Sequence, residues 1–578
     1  MRLNPIIWIF FVIVSVSISW MGINSIDANR WSVSGHAWLL VALTAISIPF
    51  LIALAVTHKK PEILNITIGW LARNDRAVIG GLSVGVASAL IVCVWALRAF
   101  PNSGDEYVYN FQADTLIAGR LWNPLHALHE HFSFTHIFEK DGKWVGQYSP
   151  GWPLVIAGAK MIGVPHYAVS PICATLLVLV FARLCRDVAG PLGAVVGAAL
   201  LAVNSFFLLN GASYYSHIPT ALFATLYVLY GLRYLDSPSR WSALIAGGAL
   251  GAVGITRPYS AILFALPFAA EVFIRSRRED RSMTIWFIVG GLPFLIGLMA
   301  YNFAITGDPF LVVTHWGYPL GKLGFHSRDV DGTHEANLLD TSVMALARMG
   351  ELAEWTAPLI VYLYAFATFE KFSARTFRFY DFIFPTFIAG YLLFPTMGGD
   401  RYGPRYYFEA YPFLILTIVT AMTPYLRSST ELIKTRILSY ALAMQVVLAC
   451  IIAPIHLYNY HRIVNGRMEL YDAVRDEKLS HAVVVIRALS GSILPMPFMD
   501  LTRNGINPIE ADVIYAIDKP DSWWLYATGH DHEAAKSDQK SSEELVHAKS
   551  LEELVHAFPD RTFYEFTQSG LHRLASPM

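Results

Sequence analysis

The chain has 578 residues, of which 54% are hydrophobic and only 15% are charged. Soluble domains contain about 25% charged residues, so this composition excludes an ordinary soluble enzyme and indicates a polytopic membrane protein. The formal net charge of -1 also excludes the strongly basic character of a nucleic-acid-binding protein. All four cysteines lie in apolar segments without a Cys-x-x-Cys pair, which argues against a zinc site or a disulfide framework.

Apolar stretches long enough to cross a bilayer recur along most of the chain. A membrane-spanning helix needs roughly 20 mostly apolar residues, and this criterion predicts about thirteen spans. The predicted spans are 5–23, 36–57, 78–97, 167–184, 190–210, 214–232, 241–256, 258–274, 284–305, 355–370, 380–397, 406–426 and 437–457. The first is predicted to be a retained span because no small-residue cleavage site follows it. The stretch 152–163 is too short to cross and is expected at the membrane interface.

Lysine and arginine collect in alternate connectors between these spans. The basic connectors are 58–77, 183–187, 275–281, 371–378 and 427–436. Cytoplasmic loops of membrane proteins are enriched in Lys and Arg, so these connectors are expected in the cytoplasm. The external side, which is the periplasm in a bacterium, then carries the large loops 98–166 and 306–354 and the tail from residue 458.

The tail, 458–578, differs in character from the preceding chain. A helical pattern at 469–482 is followed by strand-like runs at 483–489, 512–518 and 562–566. Mixed helices and short strands are typical of a small α/β unit. The sequence therefore predicts a polytopic α-helical membrane protein with a small C-terminal α/β extramembrane domain.

Two adjacent carboxylates, Asp105 and Glu106, follow the predicted span 78–97 on the external side. Ser103 and Glu106 form a capping-box pattern, and acidic residues are favourable in the first turn of a helix. A structural interpretation is therefore available, but the capping box does not require Asp105. Both a structural and a catalytic role stay open at this point.

Three arginines beside apolar segments, Arg257, Arg401 and Arg405, also fall on the external side next to Pro or Gly. An arginine at this depth either snorkels to the headgroups or faces a wet cavity or an anion. Guanidinium groups match phosphate bidentately, so a lipid phosphate is the expected ligand. At the same level, an aromatic belt accounts for Tyr215 but not for the neighbouring His217.

Histidines cluster in the first external loop, in the run 126–136. His129 and His131 are two residues apart, and side chains at that spacing do not converge on a helix or a strand. Surface or acceptor-binding histidines are therefore favoured over a metal site. The polar tail stretch 530–533 is predicted to be a solvated loop.

The order of these motifs resembles the GT-C superfamily of membrane glycosyltransferases. More narrowly, it is similar to the protein-mannosyltransferase-like branch that includes the lipid A aminoarabinose transferase. The resemblance covers roughly residues 78–457 and implies that they form the catalytic membrane module. Residues 1–77 lie outside it and are expected to form two additional spans and a basic loop. The matching stretches are 104–107, 147–163, 216–217, 256–258, 301–310 and 402–412.

The resemblance implies an inverting transferase in the bacterial inner membrane with a periplasmic active site. Its donor is expected to be a polyprenyl-phosphate-linked sugar, and its acceptor a hydroxyl of a lipid, glycan or protein. Asp105, with Glu106 beside it, is the expected general base. The expected phosphate ligands are Arg257 and Arg405, with Arg401 or Lys322 as helpers, and the expected sugar or acceptor contacts are Tyr109, Tyr148, Tyr215 and His217. No metal ligand is predicted. The use of a divalent cation stays open because His217 stands where many relatives carry a second acid.

Two other functions fit the same composition. A transporter or flippase for lipid-linked glycans would show repeated halves and ionisable groups near mid-membrane, whereas this chain gathers its charges at one face. A glycan polymerase or ligase would share the donor and differ in the acceptor.

Overall fold

The computed structural model describes residues 51, 62–275, 281–317, 337–393, 401–428, 433–487, 498–517, 551–567 and 569–574. Outside these residues lie the predicted span 5–23, the predicted span 36–57 apart from residue 51, Lys322 and the stretch 530–533. Within them the protein is mostly helical. The helices are α1 (Glu62–Arg73), α2 (Asp75–Ala96), α3 (Gly104–Ile117), α4 (Gly151–Met161), α5 (His166–Ala202), α6 (Ser205–Ala212), α7 (His217–Asp236), α8 (Arg240–Thr256), α9 (Pro258–Arg275), α10 (Arg281–Thr306), α11 (Val313–Gly317), α12 (Leu338–Thr356), α13 (Leu359–Ala374), α14 (Phe379–Leu392), α15 (Tyr411–Arg427), α16 (Ile433–Arg467) and α17 (Glu469–Asp476).

Five of the described helices, α2, α5, α7, α10 and α16, are long and apolar enough to cross a membrane. Helices α12 and α13 meet at a bend of 114° and make a sixth span if they cross together. Helices α9 and α14 are shorter and apolar. The protein is therefore an integral membrane protein, while the total of thirteen spans stays a prediction.

At one boundary between predicted spans, two helices meet end to end at a kink with no loop between them. The spans predicted at 167–184 and 190–210 fall on α5, which breaks at Gly190 (φ 75°, ψ -172°), and on α6. Glycine adopts this backbone region without steric cost, and Pro191 immediately after it removes a helical hydrogen-bond donor. The predicted connector, 185–189, is helical, and the break lies just after it at Gly190, the first residue of the second predicted span.

The first external loop folds into a helix and a small sheet. Helix α3 is followed by strands β1 (Asn123–Pro124), β2 (Ile137–Lys140) and β3 (Lys143–Gly146), which pair antiparallel in the order β1-β3-β2. Helix α4 then covers most of the predicted interfacial segment 152–163.

The tail forms a four-stranded sheet of β4 (Ala482–Ile486), β5 (Val513–Ile517), β6 (Thr562–Thr567) and β7 (Gly570–Arg573), in the order β5-β4-β6-β7. Strand β4 is parallel to both of its neighbours, and β6 and β7 are antiparallel. The first three strands lie where the sequence predicted strands. That this region forms a separate domain stays a prediction.

The central strand β4 is buried on both faces of the sheet, since its successive side chains point to opposite sides and all five are buried. On one face, Val484 and Ile486 pack with Leu470 of α17. On the other, Val483 packs in one apolar cluster with Phe111 of the first loop. The tail and the first external loop therefore share a hydrophobic core.

The connectors that the sequence predicts in the cytoplasm contact one another. They lie at the end of the helical bundle opposite to the first loop and the tail. Their ion pairs are Arg186 with Asp75, Arg233 with Asp187, and Arg378 with Asp236 and Glu271. This arrangement agrees with the predicted alternation of the loops.

Candidate active site

Asp105 lies in the first turn of α3, where three side chains converge on its carboxylate. Tyr148 donates a hydrogen bond to Oδ1, and Arg405 Nη1 lies 3.4 Å from Oδ2. His136 Nε2 is 3.9 Å from Oδ1. The Asp105 side chain is 19% exposed. It therefore keeps access to a reacting group while being held by its neighbours.

Glu106 is oriented differently and is fully buried. Its Oε1 accepts a hydrogen bond from the backbone N–H of Tyr214 at 3.0 Å, and its Oε2 accepts one from the Ser103 hydroxyl at 3.2 Å. The Ser103 hydroxyl also accepts from the Glu106 backbone N–H, as the capping box predicted. Glu106 therefore joins the start of α3 to the segment before α7, and its surroundings favour the structural role.

Tyr148 is fixed from several sides, which sets the direction of its hydroxyl. Its carbonyl accepts from Gln112 at 2.8 Å and from the Tyr301 hydroxyl at 3.4 Å. Its ring stacks on Tyr109 with centroids 4.3 Å apart. Helix α3 and helix α10 thus jointly hold the residue that donates to Asp105.

Arg405 begins a 3-10 helix, Arg405–Ala410, immediately before α15. Its guanidinium carbon lies 4.4 Å from the ring centre of Tyr215 and 5.6 Å from that of Tyr406. A cation over an aromatic face is stabilised even when it is largely desolvated. Arg401 points elsewhere, and its Nη1 donates to the Asn102 carbonyl at 3.1 Å.

Arg257 lies between α8 and α9 and pairs with a buried carboxylate that the sequence did not single out. Its Nε is 2.6 Å from Glu409 Oε1. The same carboxylate contacts His217 Nδ1 at 2.7 Å and accepts from the Ser260 hydroxyl at 2.5 Å. Glu409 is fully buried, whereas the Arg257 side chain stays 18% exposed. Glu409 therefore holds the Arg257 guanidinium from its buried side.

Ser216 connects Arg257 with the residues around Asp105. Its hydroxyl lies 3.0 Å from the Tyr109 hydroxyl and accepts from Arg257 Nη1 at 3.2 Å. Tyr109 in turn stacks on Tyr148, which reaches Asp105. Asp105, Arg405 and Arg257 therefore belong to one connected network at one end of the helical bundle.

Burial and charge act in opposite directions on the two adjacent carboxyl groups. Burial raises the pKa of Asp105, but the positive charge of Arg405, the nearby His136 and the hydrogen bond from Tyr148 outweigh it, and the pKa lies below its usual range. Burial also raises the pKa of Glu106, to about 7, against the opposing effect of the Tyr214 N–H. Only Asp105 is thus firmly ionised at neutral pH.

Among the residues that the structure describes, no group of three or more His, Cys, Asp or Glu side chains is arranged to hold a metal ion. His129 Nδ1 is 2.6 Å from Glu139, and His131 Nδ1 is 3.0 Å from the Ile517 carbonyl. The imidazoles of His129 and His131 therefore contact different groups and do not converge on one point.

The structure brings most of the predicted site residues together. Asp105, Arg405, Arg257, Tyr109, Tyr148, Tyr215 and His217 share the network, and Lys322 lies outside the described residues. Tyr215 and His217 are buried. Tyr215 contacts Arg405 and donates to the Ser103 hydroxyl, and His217 contacts Glu409; contact with a sugar stays a prediction. Sequence reasoning missed Glu409, His136 and Ser260. The one available signal was the position of Glu409 four residues after Arg405.

These features define an integral membrane protein with a carboxylate and two guanidinium groups at one end of its helical bundle. Residues 150–301 match the family model described as dolichyl-phosphate-mannose-protein mannosyltransferase. The resemblance to GT-C glycosyltransferases that the motifs indicated is thereby confirmed. A comparison with curated proteins finds no match.

Two solved structures are similar in fold. ArnT from Cupriavidus metallidurans bound to undecaprenyl phosphate has a TM-score of 0.48 and 11% identity, over 84% of this chain and 93% of that chain. The oligosaccharyltransferase from Archaeoglobus fulgidus in the apo form has a TM-score of 0.44 and 11% identity, over 83% of this chain and 69% of that chain.

Proposed function

We propose that this protein is an inverting membrane glycosyltransferase. It moves a sugar from a polyprenyl-phosphate donor to an acceptor hydroxyl of a lipid, glycan or protein at the periplasmic face of a bacterial inner membrane. The observation that carries the proposal is the convergence of Asp105, an ionised and partly exposed carboxylate, with Arg405 and Arg257 in one network. The matching family model, whose description names dolichyl-phosphate-mannose, supports a lipid-phosphate-linked sugar as the substrate class.

In the proposed reaction, the acceptor oxygen attacks the anomeric carbon from the side opposite the phosphate. The bond between that carbon and the phosphate oxygen breaks, and its electron pair stays on the phosphate. The hydroxyl proton passes to Asp105, which acts as the general base. The products are the inverted glycoside and the free polyprenyl phosphate.

The arginines stabilise the charge that develops on the leaving phosphate. Preorganised cationic groups in a site that excludes water are usually the largest single contribution to such catalysis. Arg257 is preorganised by Glu409, and Arg405 is supported by the ring of Tyr215. Tyr148 and Tyr109 hold Asp105 and Ser216 in place, and Arg401 acts at longer range.

The test is to isolate the protein from its native membrane and identify co-purifying lipid by mass spectrometry. A polyprenyl-phosphate-linked sugar is expected, and the purified protein should release the free polyprenyl phosphate when it receives an acceptor extract. A protein that carries only phospholipid and consumes no glycolipid from a total lipid extract would contradict the proposal.

A further inference from the structure

The two guanidinium groups of the site are held in different ways. Arg257 lies 2.6 Å from Glu409, whose carboxylate is fully buried and also engaged by His217 and Ser260. Arg405 lies 3.4 Å from Asp105, whose carboxylate is 19% exposed. The first contact is short and its carboxylate is fully buried, although the Arg257 side chain is 18% exposed. The second is long for a charge-assisted hydrogen bond and its carboxylate is partly exposed, although the Arg405 side chain is only 10% exposed.

The other contacts of Arg405 allow it to change partner. Its guanidinium rests on the faces of Tyr215 and Tyr406, which do not compete for its N–H groups. Its buried Nε has no hydrogen-bond partner among the residues that the structure describes. A buried donor without a partner is costly, so an incoming anion that supplies one gains affinity.

We propose that Asp105 and the donor phosphate compete for Arg405, so that donor binding withdraws Arg405 from Asp105 and releases the general base. This inference rests on the proposed function and adds an order to it, in which the donor binds first. Glu409 has a complementary role as a positioning residue, because it keeps Arg257 in place while Arg405 exchanges.

The exchange changes how strongly Asp105 binds a proton. Burial raises the pKa of Asp105, but the charge of Arg405 is the strongest opposing influence, followed by His136, the hydrogen bond from Tyr148 and the charge of Arg401. The carboxylate is therefore a weak base. A phosphate that neutralises Arg405 removes the main opposing charge and leaves the burial, so the pKa of Asp105 rises toward a value suited to accepting a proton.

The experiment measures the affinity of the purified full chain for undecaprenyl phosphate in detergent. Wild type is compared with Asp105→Asn, Arg405→Gln and the double variant, and size-exclusion chromatography confirms that each is folded. Asp381→Asn is the matched control, because Asp381 is also a buried carboxylate in an ion pair, with Lys371, but at the opposite end of the bundle. Arg405→Met, which is also neutral, replaces Arg405→Gln if the latter does not fold.

Competition for Arg405 predicts that Asp105→Asn binds the lipid about tenfold more tightly than wild type, a coupling in the usual range between two sites. In the Arg405→Gln background, the same substitution should change affinity less than about threefold. An equal gain in both backgrounds would show simple charge repulsion and overturn the exchange. No gain in Asp105→Asn would overturn it while leaving the proposed function standing, whereas a wild type that does not bind overturns both.

Discussion

Arg405 and Glu409 lie four residues apart in one 3-10 helix, and each engages a different half of the site. Arg405 reaches Asp105 on α3, whereas Glu409 reaches Arg257 at the junction of α8 and α9. This short segment before α15 therefore sets the position of Asp105 relative to Arg405 and Arg257. A shift of this segment would move them together.

Replacing Asp105 by Asn is expected to lower the transfer rate by about 10² to 10⁴-fold, the usual contribution of a general base. The amide cannot accept the hydroxyl proton, although it keeps the shape of the carboxylate. The measurement is release of polyprenyl phosphate from the co-purified glycolipid. Asp141→Asn, in the exposed turn between β2 and β3, is the control and should retain the wild-type rate. Full activity of Asp105→Asn would remove Asp105 from the base role.

Replacing Glu409 by Gln is expected to lower transfer per folded molecule by about 10²-fold, because Arg257 loses the charge that orients it. It should also cost about 3–5 kcal/mol of stability, since an uncompensated buried charge remains. Asp381→Asn removes a comparable buried ion pair with Lys371 and should cost similar stability without loss of transfer. A purely structural Glu409 would instead make the two variants alike, with transfer per folded molecule unchanged.

The buried carboxyl group of Glu106 is expected to make the stability of the folded protein depend on pH. Burial raises its pKa to about 7 in the folded protein, above the ordinary value for Glu, so the folded state binds the proton more tightly than the unfolded state. Stability should therefore fall by up to about 3 kcal/mol as the pH rises from 4.5 to 7. Glu106→Gln removes this dependence, and the test compares the two thermal unfolding midpoints at pH 5 and pH 8. Equal pH dependence in both proteins would contradict the assignment.

Arg503 in the tail is predicted to stabilise the segment before α3. Its Nη1 donates to the Pro101 carbonyl at 2.7 Å, and its guanidinium lies 4.3 Å from the ring centre of Phe100. Arg503→Ala should lower transfer and increase proteolysis of the first external loop by several-fold, because two independent contacts are lost. Arg573→Ala, at an exposed position of β7, is the matched control. Identical digestion patterns would show that the tail does not support the loop.

The sequence was sufficient to predict that the chain is a membrane protein and where the strands of the tail lie. It also predicted most residues of the network around Asp105, Arg405 and Arg257. Hydropathy reports burial in lipid directly, and the capping box at Ser103 and Glu106 is a local signal. It could not reveal that Val483 and Phe111 share a core, because such pairing is long-range and leaves no local pattern. It also missed Glu409, since one acid in an aromatic stretch has no periodicity, and its meaning depends on a partner 152 residues away in the chain.

The most direct test of the central claim is native mass spectrometry of the purified protein with undecaprenyl phosphate. The account predicts one bound lipid in the wild type and at least about tenfold weaker binding in Arg257→Ala, because the guanidinium holds the phosphate. Arg233→Ala, which loses an ion pair with Asp187 at the other end of the bundle, should bind like the wild type. Equal binding by wild type and Arg257→Ala would contradict the account.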